Sequence, residues 1–302
     1  MKRMIHRLLK VLLWPVLVWR RRLRGRKQAC FEAYHKEFLH HVEEGSVVVH
    51  VPDFGGSFEI DVRSNILKRI LKRGHYEPDL VRIVLEYVDP ELDAIDIGAN
   101  VGFFTILLSK TLRPDRRVLA IEPAPFALKY LHGNIRRNGV AHTVTVYEGV
   151  MADRAGNFSL HVIPGKEEYS SVFPIVHPSV THAAAITTDT RGDTLDNLVE
   201  RLGFEPGFIK IDAEGAEHII LRGAQETLRR WKPVVLCEVS DVLLSQGGVC
   251  ARDIIHLLES HDYTVVAASE PSRRIVSPFA GEILAVPRRE MDRPQANLEC
   301  GR

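Results

Sequence analysis

Short apolar runs alternate with amphipathic helical patterns through most of the chain from residue 92 onward. These runs predict strands at residues 92–97, 117–122, 144–148, 207–212, 234–239, 263–267 and 282–286. The spacing of apolar residues between them predicts helices at residues 101–112, 125–138, 194–202, 216–231 and 251–259. Strands that alternate with helices predict an α/β fold with one sheet wound on both faces.

The residues before this alternation have a different pattern. Two strands around a Gly-Gly turn, followed by short helices at 64–72 and 79–87, predict a small N-terminal cap over residues 29–90. The core is then expected to span residues 91–290, and residues 291–302 to form a loose tail. Within the core, residues 151–191 interrupt the alternation and are expected to be irregular, with a candidate extra strand at 158–162.

The composition is that of a globular protein with a hydrophobic core: 45% of the 302 residues are hydrophobic and 26% are charged. The net charge of +1 gives the whole molecule no attraction to nucleic acid, so no nucleic-acid partner is expected. The four cysteines have no metal-type spacing. Free thiols in a cytoplasmic protein explain them better than a disulfide framework does.

The N-terminal segment is basic, with ten Lys or Arg and no acidic residue in residues 1–27. Its apolar run, residues 11–19, is nine residues long, whereas a membrane-spanning helix needs about 20. Arginines follow that run where a signal peptide would have small residues. Residues 1–28 are therefore interpreted as an interfacial segment that binds the anionic inner face of a membrane. A disordered basic tail and an apolar strip docked on the body are the alternatives.

Acidic residues end several of the predicted strands, namely Asp96, Glu122, Glu148, Asp212 and Glu238. In an open parallel sheet, ligands bind outside the carboxyl ends of the strands, near the point where the strand order reverses. We therefore expect these carboxylates to line one ligand site at that edge of the sheet.

The first core strand leads into a glycine-containing turn, GANVG, at residues 98–102. A dinucleotide-binding fingerprint has a glycine where this chain has Asn100, so a pyrophosphate would lose its close approach to the backbone. Glu122 ends the next strand, where an acid can accept both hydroxyls of a ribose. Together these features indicate an adenosine-type ligand without a pyrophosphate, and S-adenosylmethionine fits. A tight strand–helix turn without any ligand is the alternative for the glycines.

Three motifs resemble those of the FkbM-type methyltransferases: DIGANVGFFT at 96–105, IEPAPFALKYLHGNIRRNG at 121–139 and IKIDAEGAE at 209–217. The resemblance covers about half the chain, residues 92–240, and the third motif is its most specific part. It implies a Rossmann-like, class I methyltransferase fold, a doubly wound mixed sheet of seven strands whose last strand is antiparallel. Members of that family methylate hydroxyl groups, often on sugars or polyketides.

The resemblance also implies which residues contact S-adenosylmethionine: Asp96, Gly98, Asn100, Gly102 and Glu122. Beyond the third core strand, Glu148 and Asp153 are competing candidates for contacts on the adenine side. The N-terminal segment and residues 151–191 lie outside the motifs, so the resemblance implies nothing about the identity of the acceptor.

The third motif places Asp212, Glu214 and Glu217 within six residues. Asp212 and Glu214 are candidates for the general base, because a sugar hydroxyl holds its proton too tightly to react unaided at neutral pH. Glu217 is interpreted as an acid that favours the N-terminus of the next helix. Lys210 shares a strand face with Asp212 and is expected to screen the cluster. A divalent metal ion, held with help from Glu238, is a less favoured alternative, and no metal site is assigned.

Residues 151–191 are expected to form the acceptor side of the site, because long loops in compact domains are often functional. Within them Tyr169, Ser170 and Ser171 combine an aromatic ring with hydroxyls, as a sugar-binding rim would, and Glu238 is expected to join them. The predicted function is an S-adenosylmethionine-dependent O-methyltransferase that acts on a sugar hydroxyl of a glycan or glycolipid. A nicotinamide-dependent oxidoreductase and a non-catalytic cofactor-binding scaffold at the membrane are the alternatives.

Overall fold

The computed structural model of the chain describes residues 45–176, 180, 184–272 and 275–288. Its strands are β1 (Ser46–Val51), β2 (Gly56–Asp61), β3 (Asp93–Ile97), β4 (Val118–Glu122), β5 (Val144–Glu148), β6 (Val150–Met151), β7 (Gly156–Val162), β8 (Ile186–Asp193), β9 (Pro206–Ile211), β10 (Val234–Ser240), β11 (Tyr263–Ala267) and β12 (Ala280–Pro287). Its α-helices are α1 (Asn65–Arg73), α2 (Pro78–Tyr87), α3 (Phe103–Thr111), α4 (Pro125–Arg137), α5 (Leu195–Leu202), α6 (Glu217–Arg222), α7 (Gln225–Arg230), α8 (Asp241–Leu244) and α9 (Ala251–Ser260).

Two sequence-based predictions concern segments outside the described residues: the interfacial segment at 1–28 and the tail at 291–302. Both therefore stay predictions. Within the described ranges, no helix has the length and apolar character needed to cross a membrane. Cys237 and Cys250, the two cysteines that the structure describes, are free thiols.

A seven-stranded mixed sheet forms the centre of the fold, in the order β11-β12-β10-β9-β3-β4-β5. Neighbouring strands from β10 to β5 pair in parallel, and β12 pairs antiparallel with both β10 and β11. The α/β fold and its antiparallel last strand are therefore confirmed. The chain builds the sheet outward from β3 through β4 to β5 and then returns to add β9 on the other side. Ligands are expected where the strand order reverses, between β3 and β9.

Successive residues of each central strand are buried on opposite faces of the sheet, as the alternation of a strand requires. In β9, Phe208 packs against the aromatic residues of the cap and α3, whereas Ile209 and Ile211 pack against the helices on the other face. Lys210 lies on the same face as Phe208, with its ammonium 5.0 Å from the centre of the Phe104 ring. The Lys210 ammonium therefore lies at the edge of an apolar core.

The described part of the predicted cap, residues 45–90, packs against the core through an aromatic cluster. Phe54 is fully buried in the turn between β1 and β2, and its ring centre lies 5.0 Å from that of Phe103 and 5.2 Å from that of Phe104. Tyr76, between α1 and α2, also lies 5.0 Å from Phe103. The cap therefore shares one hydrophobic cluster with the helix that follows the glycine-containing turn.

Two asparagine side chains of α4 hydrogen-bond to the backbone of β2. The Asn134 amide accepts from the Glu59 N–H at 2.7 Å and donates to the Glu59 carbonyl at 3.1 Å. Asn138 makes the same pair of contacts with Ser57, at 3.1 and 2.9 Å. These bonds supply the partners that a third strand would otherwise give to the outer edge of β2.

Residues 151–191 are more regular than predicted. The candidate strand at 158–162 is present as β7, and it pairs antiparallel with β8, which the sequence did not predict, in a small sheet of order β6-β8-β7. The sequence of β8 is ITTDTRGD, and most of its residues are exposed. It therefore lacks the pattern of apolar residues from which a strand could be predicted. Its threonines favour a strand through their branched side chains alone.

The helix predicted at 216–231 is wrong as one element, because the structure has two short helices, α6 and α7. Between them, a Cβ on Gly223 would collide with the backbone carbonyl of Ala152, so the chain passes β6 too closely for any other residue. The Asp196 carboxylate then accepts from the N–H groups of Glu226 and Thr227, at 3.0 and 2.7 Å, and caps α7.

Candidate active site

A cavity of about 410 Å³ opens at the carboxyl ends of β3, β4, β9 and β10, at the predicted edge of the sheet. Eight carboxyl groups line it, against two cations, Arg69 and Lys210. The carboxyl groups belong to Glu77, Asp96, Glu122, Glu168, Asp212, Glu214, Glu238 and Glu282. Such a concentration of one charge needs neutralisation, proton sharing or a cationic ligand.

The glycine-containing turn lies directly against the acid cluster. Gly98 has φ +78°, and a Cβ there would collide with the backbone carbonyl of Asp212. Asn100, which the sequence places at the critical position of the turn, is also left-handed, with φ +50°. Gly98 and Asn100 line the cavity, whereas Gly102 packs behind it against Leu131.

Glu122 is buried at the end of β4, and both of its carboxylate oxygens are engaged by backbone donors. One accepts from the Asn100 N–H and the other from the Ala124 N–H, each at 2.8 Å. Burial raises the pKa of Glu122 to about 7, although these hydrogen bonds favour the ionised form. Glu122 therefore holds the turn in place as well as lining the cavity.

Asp96 ends β3 with 1% of its surface exposed, and it lines the cavity. One carboxylate oxygen accepts from the Thr105 hydroxyl at 2.6 Å, and the other, Oδ1, is buried without a hydrogen-bond partner among the described residues. Burial raises the pKa of Asp96, and the charge of Lys210 opposes that rise. A buried acceptor with no partner is costly, so this oxygen is suited to a donor on a ligand.

Lys210 and Asp212 form the central ion pair of the cavity. The ammonium of Lys210, 5% exposed, lies 3.1 Å from an Asp212 carboxylate oxygen. Burial disfavours the ionised form of Asp212, but the charge of Lys210 and the hydrogen bonds from Glu238 and Lys210 outweigh burial and lower the pKa of Asp212. The predicted screening by Lys210 is present, and Asp212 is an anion at neutral pH.

Glu214 and Glu238 flank Asp212, and the pKa of each is raised. Burial, followed by the charges of Asp212 and Glu217, raises the pKa of Glu214 to about 9. Glu238 is open to the cavity, and the Asp212 charge is the largest cause of its raised pKa. Asp212 and Glu238 therefore titrate as a pair, in which Lys210 favours the negative charge on Asp212 and the proton on Glu238, while Glu214 is neutral at pH 7.

Glu217 belongs to the architecture of the loop. It is 2% exposed, and one of its oxygens accepts from the N–H groups of Ala213 and Gly215, at 3.1 and 3.0 Å. The prediction was that Glu217 favours the N-terminus of the helix. The structure shows that its hydrogen-bond donors also include N–H groups of the turn before α6. Burial raises the pKa of Glu217 to about 7.

The pH dependence of stability tests this account of Glu217. Because its pKa rises from 4.5 to about 7 on folding, its contribution to stability is complete below pH 4.5 and is lost as the pH passes 7. We expect Glu217→Gln, which keeps the accepting oxygen, to reduce the loss of stability between pH 5 and pH 8, by at most about 3 kcal/mol. Thermal unfolding at both pH values measures this, with the exposed Glu200→Gln as the control. Equal pH slopes in the two variants would contradict it.

The predicted acceptor residues Tyr169, Ser170 and Ser171 all line the cavity. The Ser171 hydroxyl donates to the Glu214 carbonyl at 2.9 Å and accepts from the Phe173 N–H at 3.1 Å. Ser171 therefore supports the acid turn. The Ser170 hydroxyl is buried without a hydrogen-bond partner in the described part of the chain, which leaves it available to a ligand.

The structure does not bring Glu148 and Asp153 into the lining of the cavity. Glu148 is exposed and lies 2.9 Å from His132, and Asp153 pairs with Arg154 and Arg222 at 3.3 and 3.4 Å. Beyond the end of β5, the cavity is lined instead by Gly149, Val150 and Met151. An acid at the end of a strand therefore did not suffice to predict a position in the wall of the cavity.

Sequence reasoning missed the wall that the cap supplies: Asn65, Ile66, Arg69, Tyr76 and Glu77. The guanidinium of Arg69 lies 3.0 Å from the Glu77 carboxylate and 4.8 Å from the centre of the Tyr76 ring. Glu77 has φ +43°, a strained conformation for a residue other than glycine. These residues reach the cavity only because the cap packs against α3, so no local sequence signal indicated them.

No group of three or more His, Cys, Asp or Glu side chains in the described ranges has an arrangement suited to a metal ion. The carboxyl groups of the cavity are instead partnered by Lys210, by backbone N–H groups and by one another.

Comparison with known proteins gives consistent matches. The sequence model of the methyltransferase FkbM domain matches residues 96–265. The 31-O-demethyl-FK506 methyltransferase FkbM of Streptomyces tacrolimicus is 29% identical over 203 residues, which is 58% of this chain and 74% of that protein. Methyltransferase sdnD of Sordaria araneosa is 24% identical over 191 residues, covering 51% of this chain and 72% of that protein. The crystal structure of an FkbM methyltransferase from Methylobacillus flagellatus is 19% identical with a TM-score of 0.42, over 65% of this chain and 43% of that one.

Proposed function

Because this chain belongs to the FkbM family of methyltransferases, we propose that it transfers the methyl group of S-adenosylmethionine to a sugar hydroxyl of a glycan or glycolipid. The observation that carries the proposal is the contact between Gly98 and Asp212 in one cavity. Because the Gly98 turn lies against the backbone of Asp212, a donor bound at that turn would lie beside the acid cluster, as transfer to a hydroxyl requires.

The donor end of the cavity fits S-adenosylmethionine. The unpartnered oxygen of Asp96 can accept a hydrogen bond from the donor's amino group, and Glu122 lies where a ribose would be held. The donor supplies an electrophilic methyl group on a sulfonium. Carboxylates around it favour the cation, but too much ground-state attraction would slow the transfer, and Lys210 limits that attraction.

Asp212 is the proposed general base. It is ionised at neutral pH because Lys210 lies beside it, and it faces the acceptor end of the cavity with Glu214 and Glu238. Protonated Glu214 and Glu238 can donate hydrogen bonds to the other hydroxyls of a sugar, and Tyr76 offers an aromatic face. A nicotinamide-dependent oxidoreductase is disfavoured, since Asn100 replaces the glycine that a pyrophosphate needs.

A transfer assay tests the proposal. The full chain is incubated with S-adenosylmethionine labelled in its methyl group and a panel of methyl glycosides and glycolipids. We expect label in an acid-stable ether on one class of sugar, together with S-adenosylhomocysteine. Calorimetry with NAD is the matched control and should show no binding. Label on nitrogen or carbon would refute O-methylation, and NAD binding in place of S-adenosylmethionine would refute the donor.

Glu122→Ala is expected to weaken S-adenosylmethionine binding about tenfold to a hundredfold, because hydrogen bonds to a charged group contribute about 1.5–3 kcal/mol. Since Glu122 also accepts from Asn100 and Ala124, the variant should lose stability as well. Calorimetry measures the affinity, and circular dichroism checks the fold.

The matched control is Glu148→Ala, an acid at the end of the neighbouring strand that lies outside the cavity. It should bind S-adenosylmethionine as the wild type does. Equal affinity losses in the Glu122 and Glu148 variants would remove the case for a ribose site at Glu122.

A further inference from the structure

A segment of residues 163–173, which we call the strap, lies along the part of the cavity that we propose holds the acceptor. It follows β7, and its residues Glu168 to Val172 line the cavity. One end of the strap lies against the acid turn that follows β9, and its tip lies against the N-terminus of α1 in the cap. Because more than 100 residues separate the tip from α1 in sequence, the contact joins two distant parts of the chain.

The base of the strap is anchored in the core. Ser171 exchanges two backbone hydrogen bonds with His161 of β7, at 2.8 and 3.1 Å, and its hydroxyl donates to the Glu214 carbonyl. Val172 and Phe173 pack against the hydrophobic cluster behind the sheet. Apolar packing therefore holds this end in place.

The tip of the strap is held by polar contacts to α1. The Glu168 carboxylate accepts from the Asn65 N–H at 2.9 Å, and its other oxygen lies 3.5 Å from the Ser64 hydroxyl. The Asn65 side chain donates to the Tyr169 hydroxyl at 3.1 Å. A carboxylate at the N-terminus of a helix is favoured by the helix dipole, so Glu168 acts as an additional cap for α1.

We propose that Glu168 is a positioning residue that latches the strap onto α1 over the acceptor end of the cavity, and that ligands enter and leave when this latch opens. The latch groups Asn65, Glu168 and Tyr169 themselves line the cavity, so they close the space from both sides. Water can replace polar contacts of this kind, whereas it cannot replace the packing of Val172 and Phe173. The strap therefore opens at its tip and hinges at its base.

Hydrogen exchange tests the latch without any ligand. In Glu168→Ala, backbone amides of residues 65–68 and 166–170 should both exchange about tenfold faster, because one charged hydrogen-bond partner serves both segments. Tyr169→Phe, which removes only the hydroxyl, should act in the same direction and less strongly. Glu86→Ala, an exposed acid on α2, is the control and should change neither segment. Faster exchange in only one of the two segments would overturn the latch.

Binding kinetics test the gate, and this arm rests on the proposed methyl donor. S-adenosylmethionine should both associate and dissociate about tenfold faster in Glu168→Ala, with little change in Kd, because a gate alters access in both directions. Faster dissociation with unchanged association would mean that Glu168 is a static part of the wall, and would overturn the gate. If the wild type binds no S-adenosylmethionine, the proposed function fails, and the exchange experiment still decides the latch.

Discussion

Asp212→Asn should lower kcat by about 10²–10⁴-fold, the contribution typical of a positioned general base, with nearly unchanged affinity for S-adenosylmethionine. The substitution keeps the shape of the side chain and removes its charge. Asp212 is the proposed base because Lys210, 3.1 Å away, lowers its pKa, whereas burial raises the pKa of its neighbour Glu214. Steady-state kinetics with the acceptor from the transfer assay measure kcat, and calorimetry measures donor affinity.

Glu214→Gln is the matched comparison, because the two carboxyl groups are two residues apart in the same turn. The sequence suggested that either could be the base, but burial raises the pKa of Glu214 to about 9. A neutral Glu214 resembles a glutamine, so kcat near pH 7 should fall much less than in Asp212→Asn. A larger loss in Glu214→Gln would transfer the role of base to Glu214. Wild-type turnover in a folded double variant would leave the cluster without a catalytic role.

Lys210→Met is expected to cost roughly 3 kcal/mol of unfolding free energy, the low end of the range for breaking a buried pair, because a third of the Asp212 side chain is exposed. Without the ammonium, the charges of Asp96 and Asp212 face each other across the end of β3 and β9. Urea unfolding measures the loss, and Lys129→Met, at an exposed position on α4, is the control.

The double variant Lys210→Met/Asp212→Asn separates charge balance from packing. Removing both charges should restore part of the stability that Lys210→Met loses, because the uncompensated carboxylate is then gone. If the double variant is as unstable as Lys210→Met plus the separate cost of Asp212→Asn, the ion pair does not explain the loss. The aliphatic stem of Lys210 beside Phe104 would explain it instead.

Short apolar runs predicted the seven central strands and their carboxyl-end acids, because strands buried on both faces are apolar along most of their length. The positions of Asp96, Glu122 and Asp212 follow from that pattern and from the parallel sheet. Glu148 has the same sequence position at the end of β5, yet β5 is an edge strand whose end faces solvent beside His132. The order of the strands in the sheet decides which strand ends surround the cavity. The apolar runs do not specify that order.

The rest of the site depends on contacts between distant parts of the chain. Arg69 and Glu77 reach the cavity because the aromatic cluster around Phe54 docks the cap beside α3. The exposed strand β8 has no apolar pattern, and the pairing of Glu168 with Asn65 has no local signal. Such contacts are visible only once the chain has folded.

The asparagine contacts of α4 also close the outer edge of β2 to pairing with a strand of another molecule. A two-stranded hairpin leaves backbone donors and acceptors open along its edges, and such an edge can recruit a strand from another molecule. Asn134 and Asn138 occupy this edge of β2 with side-chain amides, which cannot propagate a sheet. The family domain begins at Asp96, after the cap, and a fragment cut there would expose the rings of Phe103 and Phe104 that Phe54 now covers. The cap therefore shields the apolar rings of α3 as well as supplying part of the cavity wall through α1.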